Sequence, residues 1–482
     1  MLTLLAFLPI ALLLVLSLTW GVRQAVFIAA AATAGLFFLD GGDGGVFAAR
    51  LVVAGFGTVT ILLIVIGAIL LYTIMQQTGQ FDELKTSLDR VHPDRQVRFF
   101  FLSLFLTAFF ESVAGFGTPG VVVPLILIGM GFSPALSVAT VLLFNGLFAV
   151  SGAIGTPVLV GLQQPLGLAD DAVGRIYLVA GWGVAMASVG VMALVSRQVR
   201  RETDAAVPRQ AWAMLAVMML SYALLAPFLR ELTGIAAAGV LAAYGFVFVF
   251  ENRRISLWPW LPYGVLVALL LLPKVVPPLA EFITLPLAGR GVFGTDVEAV
   301  LRPLRTPFVP FLAAAAVALR QSRRWRFDAR PVLGKSLAVG LILLPSLAIT
   351  QLMLAGGDDG TTMVSRIATV FAATGPLYPA LSPLLGVVGA FMTGSTTVSN
   401  VIFGPVQQDA AIALDLDVPT ILGVQLAGAS IGNAVCLFNV IAAAAVAGID
   451  DYNSVLRRTI LPTTLAAMLV GLVAYVFLMT PT

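Results

Sequence analysis

The sequence predicts an all-α integral membrane protein of about twelve membrane-crossing helices and two re-entrant hairpins. Three observations carry this. Hydrophobic residues make up 59% of the 482 and charged residues only 11%, where a soluble domain carries about 25% charged residues. Apolar runs close to the roughly 20 residues that cross hydrocarbon recur from end to end, among them Thr3–Thr19, Ala25–Leu39, Val59–Met75, Gly234–Phe250 and Val332–Leu354. Two further apolar regions are interrupted by clusters of Gly, Pro, Ser and Thr. With a mean hydropathy of +1.01 and no polar stretch of any size, residues 1–482 read as a single membrane domain.

At the start, Leu2–Leu18 has no basic residue before Arg23 and no small-residue cleavage site, so it reads as a retained first span and not a signal peptide. Gly41–Gly45 joins two spans; it lacks the Lys-Ser/Thr of a phosphate loop. Basic residues collect in three loops: Arg197, Arg200, Arg201 and Arg209; Arg253 and Arg254; and Arg320, Arg323, Arg324, Arg326, Arg330 and Lys335. The neutral pair Arg230–Glu231 and the mixed segment Lys274–Arg305 fall between them, and Asp358–Asp359 lies beyond. One apolar span separates each change of side, so the basic loops lie in the cytoplasm and both termini outside. The net charge of +3 and pI near 9.2 therefore reflect topology and not a nucleic-acid partner. A single cysteine, Cys436, and a single histidine, His92, in a charged and solvated loop, offer no disulfide framework and no metal site.

In the first interrupted region, Phe99–Phe110 and Val121–Met130 flank Glu111–Gly120; in the second, Leu384–Met392 and Val401–Val406 flank Thr393–Asn400. Each flank is too short to span alone, which predicts hairpins whose tips sit at membrane depth. A broken helix follows each, at Gly152–Pro157 and at Gly428–Asn433, and an arm precedes each, at Phe81–Arg98 and Thr361–Thr374. The order span, arm, hairpin, broken span, span thus occurs twice, over about 51–197 and 332–479, with opposite orientation: inverted repeats.

Exposed backbone in hydrocarbon is costly, so such breaks persist only where they line a cavity or are packed in protein. Helix starts aimed into a cavity carry unpaired N–H groups and partial positive charge, a site for a carboxylate even though the four interruptions hold no basic residue. Their one acidic residue is Glu111. An ionisable group at membrane depth is costly to keep and functional by default, and low dielectric favours its neutral form, so Glu111 is the candidate proton carrier; a bracing role at the tip is the plainer alternative. Candidate substrate contacts are Ser112, Gly115, Phe116, Gly117, Thr118, Asn145, Gly155, Thr156, Ser395, Thr396, Thr397, Ser399, Asn400, Gln425, Ser430 and Asn433. Some of these hydroxyls and amides must simply satisfy freed backbone groups, and the glycines serve tight turns and close backbone approach. Thr118–Pro119 and Thr156–Pro157 favour extended backbone at the breaks.

At these breaks the chain resembles the bacterial lactate permease family. Thr78–Asp82 with Pro93–Asp94, then FFESVAGFGTP at Phe109–Pro119, Asn145, GAIGTPVLVG at Gly152–Gly161 and Leu381–Phe403 carry the resemblance, in order and over nearly the whole chain. It implies a symporter in the bacterial cell membrane that moves lactate and related 2-hydroxy monocarboxylates such as glycolate with protons. The family pattern is broken at three places. Thr396 stands where the family has aspartate, Asn433 where it has lysine, and the family arginine is missing near Trp260–Tyr263. Loss of an acid and a base together implies a paired replacement that keeps local charge balance.

The resulting expectation is a secondary transporter, not an enzyme, in which hairpins and broken helices move as a rigid body against the remaining spans. Its partners are a small carboxylate, a proton and the lipid bilayer, with no cofactor; an oligomer is left open. The alternative keeps the fold and couples to sodium through oxygens of Ser395, Thr397, Ser399 and Asn400. A channel suits the inverted halves less well than a carrier with one central site.

Overall fold

The computed structural model describes residues 2–479 apart from 21, 81, 84, 85, 87–90, 114, 116, 253–256, 284–286, 290, 307, 323–326, 357–359 and 450. Much of the expected first arm, Phe116, and the charges Arg253, Arg254, Arg323, Arg324, Arg326, Asp358 and Asp359 lie outside the described residues.

In chain order the main helices are α1 (Leu8–Thr19), α2 (Val22–Leu39), α3 (Gly44–Gln77), α4 (Arg95–Val113), α5 (Thr118–Gly129), α6 (Pro134–Phe148), α7 (Asp170–Thr203), α8 (Arg209–Leu229) and α9 (Thr233–Tyr244). They continue as α10 (Leu261–Val275), α11 (Phe308–Ser322), α12 (Arg330–Met353), α13 (Met363–Ala372), α14 (Tyr378–Thr393), α15 (Thr396–Ala413), α16 (Val418–Gly432), α17 (Leu437–Val446) and α18 (Tyr452–Met479). Among the described residues, 6 helical stretches are long and apolar enough to cross a membrane, and shorter apolar helices accompany them. Among the described residues the structure is all-α but for one two-stranded antiparallel ribbon, Leu287–Gly289 with Ala299–Leu301, inside the segment whose charges read as mixed, and a single bridge between Gly356 and Thr362.

The helices form two compact units. The first takes residues 1–90 and 254–363, the second 91–253 and 364–482. Within the first, α3 packs on α11 and α12, and Gln80 donates to the Ala318 carbonyl at 2.8 Å. Asp43, in the glycine-rich loop, caps α3 by accepting from the amides of Gly45 and Val46. The expected first span is divided: a short turn at Leu2–Leu5 precedes α1, whose Pro9 occupies the first helical turn, where a missing N–H does no harm.

The second unit contains both hairpins and both broken helices. α4 packs on α5, and α14 on α15. The expectation that each hairpin flank is too short to span is corrected for the first flank of the first hairpin and the last of the second, where α15 has 18 residues. α4 has 19 residues, about 28 Å at the helical rise, because it starts at Arg95, well before the apolar run. The second break is also displaced. α16 runs unbroken through Gly428 to Gly432, and the chain leaves the helix only at Asn433–Cys436. Gly428 and Gly432 face α14 instead: a Cβ at Gly428 would collide with the Pro383 backbone, and one at Gly432 would lie 2.6 Å from Val387 Cα. Small residues let two backbones meet, and a packing glycine reads in sequence just as a turn glycine does. His92, expected to be solvated, is largely covered: its Nδ1 accepts from the Asp94 amide at 3.0 Å, and its Nε2 lies 3.8 Å from Glu251.

Candidate functional site

Each interruption has a local cause. At the first tip, Gly115 (φ 58°) and Gly117 (φ 76°) take left-handed backbone that a side chain disfavours, and Thr118 and Pro119 then start α5. At the second, Gly394 ends α14 at φ 72°, and the extended Ser395 starts α15 by accepting the Val398 amide on its hydroxyl. In the first broken helix three successive residues are left-handed: Ala153 (φ 43°), Ile154 (φ 54°) and Gly155 (φ 74°). For two of them that conformation is strained, costing of order 1–3 kcal/mol each. In the second, Cys436 is non-helical, and its sulfur accepts the Asn439 amide as α17 begins.

These four interruptions meet. One hollow is lined by Glu111, Gly115, Gly117, Gly152, Ala153, Pro157, Gly394, Ser395, Thr396, Thr397, Asn433 and Asn439, so both tips and both breaks contribute. The contacts across it are close. A Cβ at Gly115 would lie 2.7 Å from that of Ala153, one at Gly117 2.9 Å from Asn439 Oδ1, and one at Gly152 2.5 Å from Glu111 Oε1. Glu111 is only 4% exposed, and its Oε2 has no hydrogen-bond partner among the described residues. No lining residue is basic. The positive ends of α5 and α15 lie at the hollow; at α15 the Thr396 and Thr397 amides have no intrahelical acceptor, whereas at α5 the Thr118 amide donates to Gly115 O at 3.0 Å and Pro119 has no N–H. At about 30 Å³ the hollow has room for about one water, so a three-carbon acid would have to part its walls.

Of the sequence-predicted residues, Glu111, Gly115, Gly117, Ser395, Thr396, Thr397 and Asn433 line the hollow. The rest are placed otherwise. Thr156 donates to the Ala153 carbonyl at 2.5 Å and so serves the unwound backbone. Ser399 donates to Gly386 O, Asn400 to Pro157 O, and Ser430 to Gly146 O, each joining two helical segments. Gln425 accepts from Gln407 at 2.8 Å. Gly155 faces Glu231 and the Tyr177 hydroxyl. Ser112 and Asn145 are buried beside or beyond the hollow without lining it, and Thr118 stands at the head of α5. Asn439 is the lining side chain that sequence reasoning missed. Its Nδ2 donates to Asn433 Oδ1 at 2.8 Å, and the available signal was a lone amide in the apolar run after the second break.

Long apolar helices enclosing a buried hollow built from two hairpin tips and two broken helices define a multi-pass membrane transporter. Its family follows from comparison with known proteins. Residues 3–258 and 287–480 match the L-lactate permease family, and the chain belongs to it. It is 24% identical to the L-lactate permease of Escherichia coli K12 over 496 residues, covering 88% of this chain and 87% of that one. It is 23% identical to the glycolate permease GlcA of the same organism over 495 residues, with the same coverage. Among solved structures, MtrF of Neisseria gonorrhoeae, of a class of antimetabolite efflux pumps, aligns with a TM-score of 0.44 at 13% identity, over 88% of this chain and 81% of that one.

Proposed function

We propose that this protein is a proton-coupled symporter of a small 2-hydroxy monocarboxylate such as lactate or glycolate, with Glu111 as the coupling group. The observation that carries the reading is the shared hollow: four interrupted segments converge on it, and Glu111 is its one acidic lining side chain. The family, and relatives named for lactate and glycolate, supply the substrate class.

The substrate carboxylate would sit against the Thr396 and Thr397 N–H groups that open α15, with the positive end of α5 nearby, where helix ends favour negative charge. Hydroxyls of Ser395, Thr396 and Thr397 and the Asn433–Asn439 amide pair would take its hydroxyl and remaining oxygen. A protonated Glu111 would let the anion approach without like-charge repulsion, and its deprotonation would eject the anion on the opposite side. Thr396 and Asn433, the sites of the missing family acid and base, line the same hollow, which supports their being a matched replacement. Hairpins and broken helices would move as one body, in keeping with their membership of one compact unit. The sodium version has less support, because of its four residues only Ser395 and Thr397 line the hollow, and Ser399 and Asn400 do not.

Uptake of radiolabelled lactate and glycolate into proteoliposomes under an imposed pH gradient tests the reading. Accumulation that follows the gradient, and disappears with a protonophore, is the expected result. Uptake that follows sodium and ignores pH would reject proton coupling.

A further inference from the structure

Among the described residues only two carboxyls are buried, Glu111 and Glu231, at 4% and 6% exposure. They press on the two ends of one strained segment. A Cβ at Gly152 would lie 2.5 Å from Glu111 Oε1, and one at Gly155 would collide with the Glu231 side chain. Hydroxyls occupy the space between. Ser151, next to Gly152, pairs its Oγ with the Tyr222 hydroxyl at 2.8 Å. Ser112, next to Glu111, faces Gly234 together with Ser151. Tyr222 is fully buried and within electrostatic reach of both Glu111 and Tyr177. The buried Tyr177 hydroxyl has no hydrogen-bond partner among the described residues and would lie 2.6 Å from a Cβ at Gly155, on the side that Glu231 also faces.

Beyond Glu231 the route opens. Arg230 pairs with Asp170 at 3.6 Å, and Asp170 is 79% exposed at the start of α7. The arginines Arg197, Arg200 and Arg201 stand at the other end of that helix. The positive-inside rule places the arginine end in the cytoplasm, which makes the Asp170 end the outer one.

We infer that Glu231 is a second proton-holding group, and that Tyr177, Tyr222 and Ser151 relay protons between it and Glu111. This rests on the proton-coupled reading above. In one passage Glu231 gives its carboxyl proton to the adjacent hydroxyl. Each hydroxyl takes one proton and releases one, and a Glu111 carboxylate oxygen ends with the proton. Glu231, left as a carboxylate, regains a proton from water at the Arg230–Asp170 mouth. Around Glu231, Tyr177 from α7 faces Gly155 on the same side, and the Arg230–Asp170 pair adjoins it in the chain; Tyr222 from α8 is reached through Tyr177. Glu231 lines no part of the hollow, so it acts on proton delivery and not on substrate contact.

The test compares net uptake driven by a pH gradient with substrate counterflow at equal pH, in proteoliposomes of the full chain. Glu231→Gln should slow net uptake by about tenfold or more, the scale of losing a placed proton-transfer group, and slow counterflow by at most about twofold. Tyr222→Phe keeps the ring and removes only the hydroxyl. It should move the two rates in the same unequal way, and it serves if Glu231→Gln does not fold. Net uptake at the unaltered rate in either variant overturns the relay, as does an equal fall of both rates in Tyr222→Phe. Absence of proton-driven uptake by the unaltered protein overturns the symport reading and the relay with it.

Discussion

In the second hairpin the buried amides and hydroxyls satisfy one another. Gln407 accepts from the hydroxyls of Tyr378 and Ser382 and donates to Ser382 O and Gln425, while Asn400 donates to Pro157 O. Around the first hairpin the same residue types are left open. Glu111 Oε2, the Ser112 hydroxyl, both polar atoms of the Asn145 amide and the Tyr177 hydroxyl are buried without partners among the described residues. A closed network fixes one geometry; an open one keeps polar atoms for a proton, water or substrate, at a desolvation cost of about 1–3 kcal/mol per group. The closed network behind the second hairpin is thus expected to serve as frame and the open polar atoms around the first as working surface, beside the second tip, Ser395–Thr397, which lines the same hollow.

The largest expected effect tests the working surface. Glu111→Gln should lower proton-driven uptake by about a hundredfold or more while the protein still folds, since the amide keeps the shape. Retained proton coupling in that variant would remove Glu111 from its role. Next comes the frame. A Cβ at Gly386 would lie 2.5 Å from Ala429 N and from Gln425 O, so Gly386→Ala should cost about 1–3 kcal/mol of stability, read as a lowered Tm in detergent. Gln407→Leu strands the groups bonded to it and should cost about 1–3 kcal/mol, with transport per folded molecule little changed.

Smaller still is the Asp417 cap. Its carboxyl accepts from the Thr420 amide and hydroxyl and from Arg175. Burial alone pushes that carboxyl up, but these hydrogen bonds and the Arg175 charge carry it below its ordinary value. Its contribution is therefore full above the ordinary carboxylate pKa of about 3.9 and is lost as pH falls through the lowered value. Asp417→Ala should cost about 1 kcal/mol at neutral pH, with the difference from the unaltered protein narrowing in acid. The sharpest contrast is the least stability change. Asn145→Leu breaks no side-chain hydrogen bond among the described residues and should leave Tm near its starting value while slowing transport. A large fall in Tm would show Asn145 to be part of the frame and erase the distinction between the halves.

How much of this the sequence carries depends on what kind of mark each residue leaves. A carboxyl in an apolar run is conspicuous, which is why Glu111 is legible, as are the tips at Gly117 and Gly394, where glycine precedes a hydroxyl residue, with Gly115 two residues before the first. Glu231 is not, because beside Arg230 it reads as an ordinary neutral loop pair; only the fold reveals it under Gly155. Ser399, Asn400, Gln425 and Ser430 carry the right chemistry for a substrate site, and only helix packing turns them toward carbonyls and amides of neighbouring elements. The extra length of α4 is hidden because its first turn is charged, which hydropathy reads as loop.

The left-handed run Ala153–Gly155 has one more bearing. Glu111 faces Gly152, just before the run, and Glu231 faces Gly155, its last residue, so a return of the run to regular helix would loosen both contacts in a single event. Under the proton-coupled reading, such a lever would make the two acids change surroundings in step, and a carrier whose acids switched together would have less chance of leaking protons halfway through its cycle.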